Sequence, residues 1–312
     1  MILSVSRRTD IPAFYSDWFI KRLESGYLLV RNPFNKKQIS KISLSPSVVD
    51  CIVFWTKNPL PLIDRLKEID RLKYNYYFQF TVTSYDTNIE RNVPPKSEII
   101  KYFQILSNKI GQEKVLWRYD PILLTEKYDI EYHIKWFEYI AKKLEGYTNK
   151  CIISFIDMYK KCERNLKDVN IIKLENNDKI QIASKLSNIA KKFNISMESC
   201  AETILLENYG VKAGKCVDDG LISKICNCTL SIEKDKSQRH ECGCVASIDV
   251  GAYNTCQHGC RYCYANYNGK VAFENFKKHD SHSPLLIGKL TGNEKITERK
   301  MVSLIQRQQK LF

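Results

Sequence analysis

The sequence has no long uninterrupted hydrophobic run and no secretory leader that we recognise. No stretch approaches the roughly 18 apolar residues that a membrane-spanning helix needs, so we predict no membrane span and no membrane partner. The opening MILSVSRRTD has an apolar run that is too short for a signal peptide, and its charges follow that run instead of preceding it. These absences exclude the integral membrane proteins and predict a cytoplasmic location.

Acidic residues are few relative to basic ones. The chain has 35 Asp and Glu against 49 Lys and Arg, which gives a net charge of +14. A basic surface attracts nucleic acid and other anions, so nucleic acid is a predicted partner, and a lysine-rich solvated surface is the alternative. The 312 residues suffice for one large barrel domain or for two ordinary domains.

Cysteine, by contrast, is abundant and clustered. The chain has 12 cysteines, and the last five fall between Cys242 and Cys263. In a reducing compartment, clustered cysteines more often bind metal or perform redox chemistry than form disulfides. A metal or redox site is therefore expected in the C-terminal third.

Short apolar runs alternate with helix-like segments along the first 200 residues. This alternation predicts an α/β fold, a parallel (β/α) barrel of TIM or partial-TIM type with a cysteine-rich C-terminal segment. The predicted strands are residues 1–6, 48–55, 76–83, 115–119, 151–156, 195–199 and 245–250. The predicted helices are residues 16–25 and 97–110, capped by Ser16 and Ser97, and residues 61–72, 130–144, 178–192 and 295–309.

We predict three regions in the chain. Residues 1–205 hold barrel strands and helices, and residues 206–268 hold the cysteine-rich segment, the last barrel strand and a cysteine loop. Residues 269–312 form a basic tail that packs on the barrel.

Polar residues stand where several predicted strands end. Because parallel barrels build their sites at the carboxyl ends of the strands, we expect these residues to line one rim. Helix caps and loop ion pairs are the alternative role for each. The candidates are Arg7, Arg8 and Asp10 after the first strand, Arg118 and Asp120 after the fourth, and Glu198 and Glu202 near the sixth.

The segment NTCQHGCRYCY, residues 254–264, carries three cysteines in C-x3-C-x2-C spacing. We call Cys256, Cys260 and Cys263 the loop thiols and residues 254–264 the cysteine loop. Thiolates are the ligands of iron–sulfur clusters, and three of them on a cubane leave one iron open. A structural zinc site prefers four closed ligands, so the spacing favours a 4Fe–4S cluster.

C-x3-C-x-aromatic-C, with Tyr262 as the aromatic residue, resembles the signature of the radical SAM superfamily. The run TCQHGCRYCYA is similar to the spore photoproduct lyase and DNA repair photolyase branch, and FWTKNP, TVTSYD and WRYDPI resemble its later barrel strands. Together with SRRTDIP near the start, nearly the whole chain resembles the domain of unknown function 1848 family. In the superfamily the cysteine loop follows the first strand, so the resemblance implies a circular permutation.

The resemblance implies a 4Fe–4S cluster on the loop thiols, S-adenosylmethionine on the open iron, and an electron donor such as ferredoxin or flavodoxin. It makes Tyr262, Arg7, Arg8, Asp10, Glu198 and Glu202 candidate cofactor-binding residues, and Arg118, Asp120 and Cys200 candidate catalytic residues. The glycine-rich GGE motif of the family is expected after residues 1–6, where RRTD stands instead.

A second group of cysteines is predicted to close a separate site. We call Cys200, Cys216, Cys242 and Cys244 the thiol quartet, and we predict that it holds an auxiliary 4Fe–4S cluster or a structural zinc ion. Cys226 and Cys228 compete for the same role, and free buried thiols are the alternative. Cys51 and Cys151 are predicted to be core residues, Cys162 to be incidental, and His133 to be a surface residue.

Three functional hypotheses follow. The first is a radical SAM-type enzyme acting on an unknown, nucleic-acid-related substrate. The second is an iron–sulfur redox or electron-transfer protein without S-adenosylmethionine chemistry, which the missing GGE motif favours. The third is a zinc-stabilised nucleic-acid-binding protein, which the charge and the tyrosines of the cysteine loop favour.

Overall fold

The computed structural model describes residues 1–306 and has an α/β fold. Its centre is an eight-stranded sheet in which every neighbouring pair is parallel, as predicted. In spatial order the strands are β10 (Ile248–Asp249), β1 (Ile2–Val5), β4 (Cys51–Thr56), β5 (Tyr76–Thr81), β6 (Val115–Ile122), β7 (Lys150–Phe155), β8 (Ser196–Ser199) and β9 (Val211–Ala213).

Helices connect most of these strands. They are α1 (Ile11–Phe14), α2 (Ser16–Ser25), α3 (Leu60–Ile63), α4 (Leu66–Arg71), α5 (Lys96–Ile110), α6 (Ile130–Leu144), α7 (Lys160–Asn165), α8 (Asn176–Lys192), α9 (Asp219–Cys226) and α10 (Gly269–Phe276). The predicted helix 61–72 is two helices, α3 and α4. Ser16 and Ser97 lie inside α2 and α5, so both predicted caps are wrong.

No helix within residues 1–306 is long and apolar enough to cross a membrane.

Strand alternation gives the central sheet two buried faces. On the outer face, residues such as Leu3, Phe54 and Trp117 pack against the helices in the main core. On the inner face, Val53 and Leu116 pack in a smaller core that includes cysteine-rich segments. Because both faces are covered, the strands read as near-continuous apolar runs. The inner face turns polar toward the carboxyl edge, and that change positions the candidate site.

Strand pairing does not close the sheet within the described residues. The two edge strands are β10 and β9, and the predicted strand 245–250 is reduced to Ile248–Asp249. The backbone amides of Val245 and Ala246 instead donate to the carbonyls of Val217 and Glu233. Because these amides do not bond to a neighbouring strand of the sheet, the sheet has an open side between β9 and β10.

A second, three-stranded sheet lies outside the central one. It contains β2 (Tyr27–Arg31), β3 (Gln38–Ser43) and β11 (Lys295–Glu298), and the sequence pattern did not predict any of them. The predicted helix 295–309 is wrong over its described part, 295–306, which contains no helix; there β11 pairs in parallel with β3. Ile296 and Thr297 are β-branched and favour this extended pairing. Residues 307–309 of that prediction lie outside the described residues.

Candidate functional site

The cysteine loop follows β10 at the carboxyl edge of the central sheet. Backbone hydrogen bonds fix it to residues 89–92, including one of 2.9 Å from Arg261 N to Ile89 O. Gly259 turns the loop at φ +65°, where a Cβ atom would come within 3.2 Å of the Asn92 side chain. The loop is therefore held at a defined position against the segment that follows β5.

Cys260 is buried, and the other two loop thiols, Cys256 and Cys263, are half-buried. Burial raises the pKa of Cys256 and Cys263, and it raises the pKa of Cys260 to about 12. The charge of Cys263 raises the pKa of the other two further, whereas the Lys57 ammonium lowers the pKa of Cys260 and Cys263. Three thiolates on this loop therefore require a cationic centre to stabilise them.

A buried ion-pair network lies beneath the cysteine loop. The Glu90 side chain is 1% exposed and accepts hydrogen bonds from Lys57 Nζ at 2.7 Å and Thr83 Oγ1 at 2.6 Å. It also contacts the Lys96 ammonium and the Tyr262 hydroxyl. Burial alone would raise the pKa of Glu90, but the two ammonium groups hold it below its usual value. Tyr262, a predicted cofactor-binding residue, is thus tied to this network.

Asp10 and His258 form a second buried pair at the loop. His258 Nε2 lies 2.8 Å from Asp10 Oδ2, which also accepts a hydrogen bond of 2.7 Å from Lys57 N. Asp10 Oδ1 caps α1 through Ala13 N. The oxygens of Asp10, a predicted cofactor-binding residue, therefore position His258 and α1. His258 Nδ1 is buried and lacks a hydrogen-bond partner among the described residues.

Arg118 and Asp120 meet on the inner face, near the carboxyl edge. The Arg118 side chain is 6% exposed and forms an ion pair with Asp120. Arg118 Nη1 also lies 3.3 Å from Gln79 Oε1 and 2.8 Å from Cys216 Sγ. Ser154 donates a hydrogen bond to Asp120. The predicted catalytic pair is therefore one network, and it extends to the thiol quartet.

Trp55 lies beside two arginines in the same region. The guanidinium carbons of Arg7 and Arg118 lie 5.6 and 5.3 Å from the Trp55 ring centroid. Arg7 Nε and Trp55 Nε1 are buried and lack partners within residues 1–306. Glu198 Oε2, on β8, is likewise buried and without a partner there, although Glu198 Oε1 pairs with Lys150 at 2.6 Å. Unpaired buried polar atoms are costly, so this cluster suits a bound polar ligand or ordered water.

Arg8 and Glu202 lie apart from this cluster. The Arg8 guanidinium carbon is 5.2 Å from the Tyr253 ring centroid. Glu202 Oε1 accepts a hydrogen bond of 2.9 Å from Phe155 N. Glu202 thus supports the end of β7, while Arg8 faces a cleft outside the sheet.

The thiol quartet comes together at the open side of the sheet. Cys216 Sγ lies 3.1 Å from Cys200 Sγ, and the neighbouring Cys244 thiol lowers the pKa of both Cys216 and Cys242. Val217 N points at Cys244 Sγ over 3.4 Å. Hydrogen bonds from neighbouring thiols and the Arg118 cation lower the pKa of Cys216. The structure therefore brings the four predicted cysteines into one region, and the surroundings of Cys216 favour its deprotonated form.

The competing pair, Cys226 and Cys228, lies elsewhere. Cys226 Sγ lies 3.4 Å from the carbonyl oxygen of Asp50, the residue before Cys51, which is fully buried as predicted. Cys228 follows just past the end of α9. Cys162 Sγ donates to the carbonyl of Tyr262 over 3.0 Å, so it lies beneath the cysteine loop. Across residues 1–306, no three His, Cys, Asp or Glu side chains are already arranged as ligands around a metal ion.

A cleft of about 950 Å³ opens beside the cysteine loop. Six of its lining residues are cationic and none is acidic: Arg8, Arg31, Lys36, Lys160, Lys161 and Lys278. Tyr253, Tyr159 and Tyr264 also line it, and Lys161 Nζ lies 4.9 Å from the Tyr253 ring centroid. Cations and aromatic rings together suit an anionic ligand that carries stackable rings.

Sequence reasoning missed several of these residues and misplaced one. Glu90 and Lys96 lie in no motif, and Trp55 lies in the FWTKNP run, where nothing in the sequence indicated its role. Their contacts in the fold reveal all three. His133 is wrong as a surface residue, because it is 0% exposed and hydrogen-bonded to the Tyr119 hydroxyl at 2.8 Å and the Leu123 carbonyl at 2.9 Å.

The fold and the site define an α/β protein with a parallel sheet and a cysteine loop at its carboxyl edge. The chain belongs to the family described as Domain of unknown function (DUF1848), a model of which matches residues 2–265, as the sequence resemblance predicted. No curated protein and no solved structure matches the chain.

Proposed function

We propose that this protein is an iron–sulfur enzyme of the radical SAM type, with a 4Fe–4S cluster on the loop thiols. The observation that supports the proposal is that Cys256, Cys260 and Cys263 stand on one loop after β10, at the carboxyl edge of a parallel sheet, close enough to affect one another electrostatically. The donor set fits, because thiolates are the preferred ligands of such clusters and Lys57 lies beside two of them. A bound cluster of this kind supplies one electron for the reductive cleavage of S-adenosylmethionine.

The strand order supports a circularly permuted partial barrel of TIM type. The last strand of the central sheet in sequence, β10, pairs with the first, β1, and the order then runs from β4 to β9. A loop after β10 therefore occupies the place that a loop after the first barrel strand has in the superfamily. Permutation is tolerated where the termini of a domain lie close together.

The chain's own residues would bind and orient the ligands. Arg7 and Trp55 offer unpaired buried polar atoms beside Arg118, which pairs with Asp120. Glu198 on β8 offers a further unpaired buried oxygen. We assign S-adenosylmethionine and the reacting part of the substrate to this inner cluster. Burial of these groups excludes water, which strengthens each electrostatic contact.

The thiol quartet is a second metal site in this proposal, for an auxiliary 4Fe–4S cluster or a zinc ion. Zn–S bonds of about 2.3 Å in a tetrahedron place sulfurs about 3.8 Å apart. The 3.1 Å separation of Cys200 and Cys216 is close to that value, so small side-chain rotations would bring this pair into position. Arg118 would balance part of the thiolate charge.

The basic cleft indicates which class of substrate the protein would bind. Its cations and tyrosines favour an anionic substrate with aromatic rings, and nucleic acid is such a substrate. The cleft reaches the cysteine loop through Asn254 and Tyr264, which line it. An electron donor of the ferredoxin or flavodoxin class is the further partner that this chemistry requires.

The competing function is an iron–sulfur redox protein without S-adenosylmethionine chemistry. The observation that favours it is the region after β1, where the GGE motif is absent. There Arg7 N donates a hydrogen bond to Asp249 Oδ2 at 2.7 Å, and the Asp10 carboxylate is hydrogen-bonded to His258. These contacts satisfy groups that would otherwise hold the amino group of S-adenosylmethionine.

Anaerobic purification and reconstitution test the proposal. We would count iron, sulfide and zinc, and record the electron paramagnetic resonance spectrum of the reduced protein with and without S-adenosylmethionine. About four irons and a spectrum changed by S-adenosylmethionine support the enzyme, and about eight irons add the auxiliary cluster. An unchanged spectrum supports the redox protein, and zinc without iron overturns both.

Two variants localise the cluster. Cys260→Ala removes a loop thiol and is expected to abolish that signal. Cys162→Ala is the matched control, because Cys162 contacts the loop from beneath without belonging to the motif. Equal loss of iron in both variants would contradict the assignment of the cluster to the loop thiols.

A further inference from the structure

The turn between β2 and β3 presents an aromatic ring to solvent at the basic cleft. Phe34 lies in this turn, lines the cleft and is 96% exposed. Single exposed apolar side chains are common on protein surfaces. This one differs because it stands on an ordered turn, next to a cleft that is lined by cations and tyrosines.

Hydrogen bonds hold the turn in one conformation. Asn32 Oδ1 accepts hydrogen bonds from Phe34 N at 2.9 Å and from Asn35 N at 3.2 Å. Asn32 N donates to Gln38 O at 2.9 Å, and the ring of Pro33 restricts its backbone. The Phe34 ring is therefore carried by a turn that is ordered before any ligand binds, which lowers the entropic cost of a contact.

Arg31 anchors the turn to the rest of the protein. Its Nη1 atom lies 3.0 Å from Glu294 Oε1 and donates to Lys36 O at 2.6 Å, and its Nη2 atom donates to Lys289 O at 3.1 Å. Arg31 is thus used within the protein. The Lys36 ammonium forms no ion pair among residues 1–306 and remains for a ligand.

The cleft has an apolar floor and cationic surroundings. Leu29 and Leu285 pair with each other, line the cleft and are 5% and 2% exposed, whereas Lys36, Lys160 and Lys278 are exposed. A ligand that fits turns flat rings inward and negative charges outward. Unpaired strands of nucleic acid can do this, but a duplex keeps its bases paired and stacked inside.

We propose that Phe34 stacks on an unpaired base of a single-stranded nucleic acid, whose phosphates contact the lysines of the cleft. Stacking on aromatic side chains is sequence-tolerant, because every base has a π face. The inference rests on the proposed assignment of the cleft to nucleic acid, and it narrows that substrate to unpaired strands.

Further aromatic rings lead from the turn toward the cysteine loop. Tyr159 and Tyr264 also line the cleft, are 47% and 42% exposed, and have ring centroids 5.9 Å apart. Tyr264 is the last residue of the cysteine loop. A strand that continues along the cleft from Phe34 therefore reaches the loop thiols.

The test compares two fluorescein-labelled strands of about 12 nucleotides, one an oligothymidylate and the other an abasic strand with the same number of phosphates. Fluorescence anisotropy gives the affinity of each strand for the full chain. We expect wild type to prefer the oligothymidylate, and Phe34→Ala to bind it about 10-fold more weakly while binding the abasic strand as wild type does. Because Phe34 is so exposed, Phe34→Ala is expected to fold, and circular dichroism checks this.

Two further variants isolate stacking from charge. Phe34→Trp is expected to retain the preference for the oligothymidylate, and the fluorescence that it gains over wild type should be quenched when this strand binds. Phe273→Ala is the matched control, because Phe273 is 51% exposed on α10 but does not line the cleft. It should bind both strands as wild type does.

Three results would overturn the proposal: equal binding of the oligothymidylate by Phe34→Ala and wild type, equal binding of the two strands by wild type, or binding of a duplex as tight as that of the single strand. The iron content and the response of the spectrum to S-adenosylmethionine should be the same in Phe34→Ala and wild type. Those two measurements therefore test the proposed enzyme separately from the stacking residue.

Discussion

Arg118 Nη1 lies 2.8 Å from Cys216 Sγ, so the guanidinium that pairs with Asp120 also contacts the thiol quartet. This single side chain joins the polar cluster of the inner face to the second group of cysteines. Charged partners of metal ligands typically change metal affinity by about 10–100-fold when they are removed.

We therefore expect Arg118→Met, made together with Asp120→Asn to avoid an unpaired buried carboxylate, to weaken zinc binding by the quartet about 10–100-fold. Chelator competition on the reduced protein measures this affinity. Arg65→Met is the control, because Arg65 pairs with Asp17 and Glu68 on a helical surface far along the chain. Unchanged zinc affinity in a folded double variant would show that Arg118 does not contribute to the site.

Glu90→Gln is expected to destabilise the protein by about 3–5 kcal/mol, because it leaves the Lys57 and Lys96 ammonium groups without their buried counter-charge. Urea unfolding monitored by circular dichroism gives the free energy of unfolding. Glu98→Gln, on an exposed position of α5, is the matched control and should change that free energy by less than about 0.5 kcal/mol. Equal midpoints for the two variants would show that the network contributes nothing to stability.

His133 makes stability fall in mild acid. Burial lowers the pKa of His133 from 6.5 to about 4, so the folded state binds fewer protons than the unfolded state between these values. The full stability is present above pH 6.5, and about 3 kcal/mol is lost as the pH falls to 4. We expect His133→Gln to be less stable at pH 7 but to lose less on acidification, and urea unfolding across this range checks both. Parallel pH profiles would contradict the assignment.

Lys161→Ala is expected to weaken binding of a fluorescent single-stranded oligonucleotide, because Lys161 lies in the basic cleft against Tyr253. The slope of log affinity against log salt should fall by about 0.7 for one lost phosphate contact. Fluorescence anisotropy at several salt concentrations measures both quantities. Lys192→Ala, at the end of α8 on an exposed surface, is the control. If the two variants bind alike, the oligonucleotide does not occupy the cleft.

Helices and strands were predicted well where interactions between neighbouring residues determine them. α6 runs over the predicted residues 130–144, because its apolar period and the Asp129 cap are both local. The strands β1 and β4–β8 were found from apolar runs that are buried on both faces. The strand β11 was missed, because it pairs with β3 across more than 250 residues.

Part of the candidate site could likewise be predicted from the sequence, and part of it could not. The loop thiols could be identified from spacing alone, since three ligands on one loop need no tertiary contact to be neighbours. The sequence alone did not show whether the second site uses Cys216 with Cys244 or the competing Cys226 with Cys228. That choice required the fold. Nothing in either C-x-C pair indicates which of them lies in the region of Cys200 and Cys216.

By itself, the sequence determined the parallel α/β architecture, the family and the loop that gathers Cys256, Cys260 and Cys263, because periodicity and short-range spacing are properties of neighbouring residues. Only the tertiary structure decided which distant groups meet: Glu90 with two lysines, Arg118 with Cys216, and an open side of the sheet between β9 and β10. These relationships depend on how the strands pair, and strand pairing is fixed by packing between residues far apart in the chain.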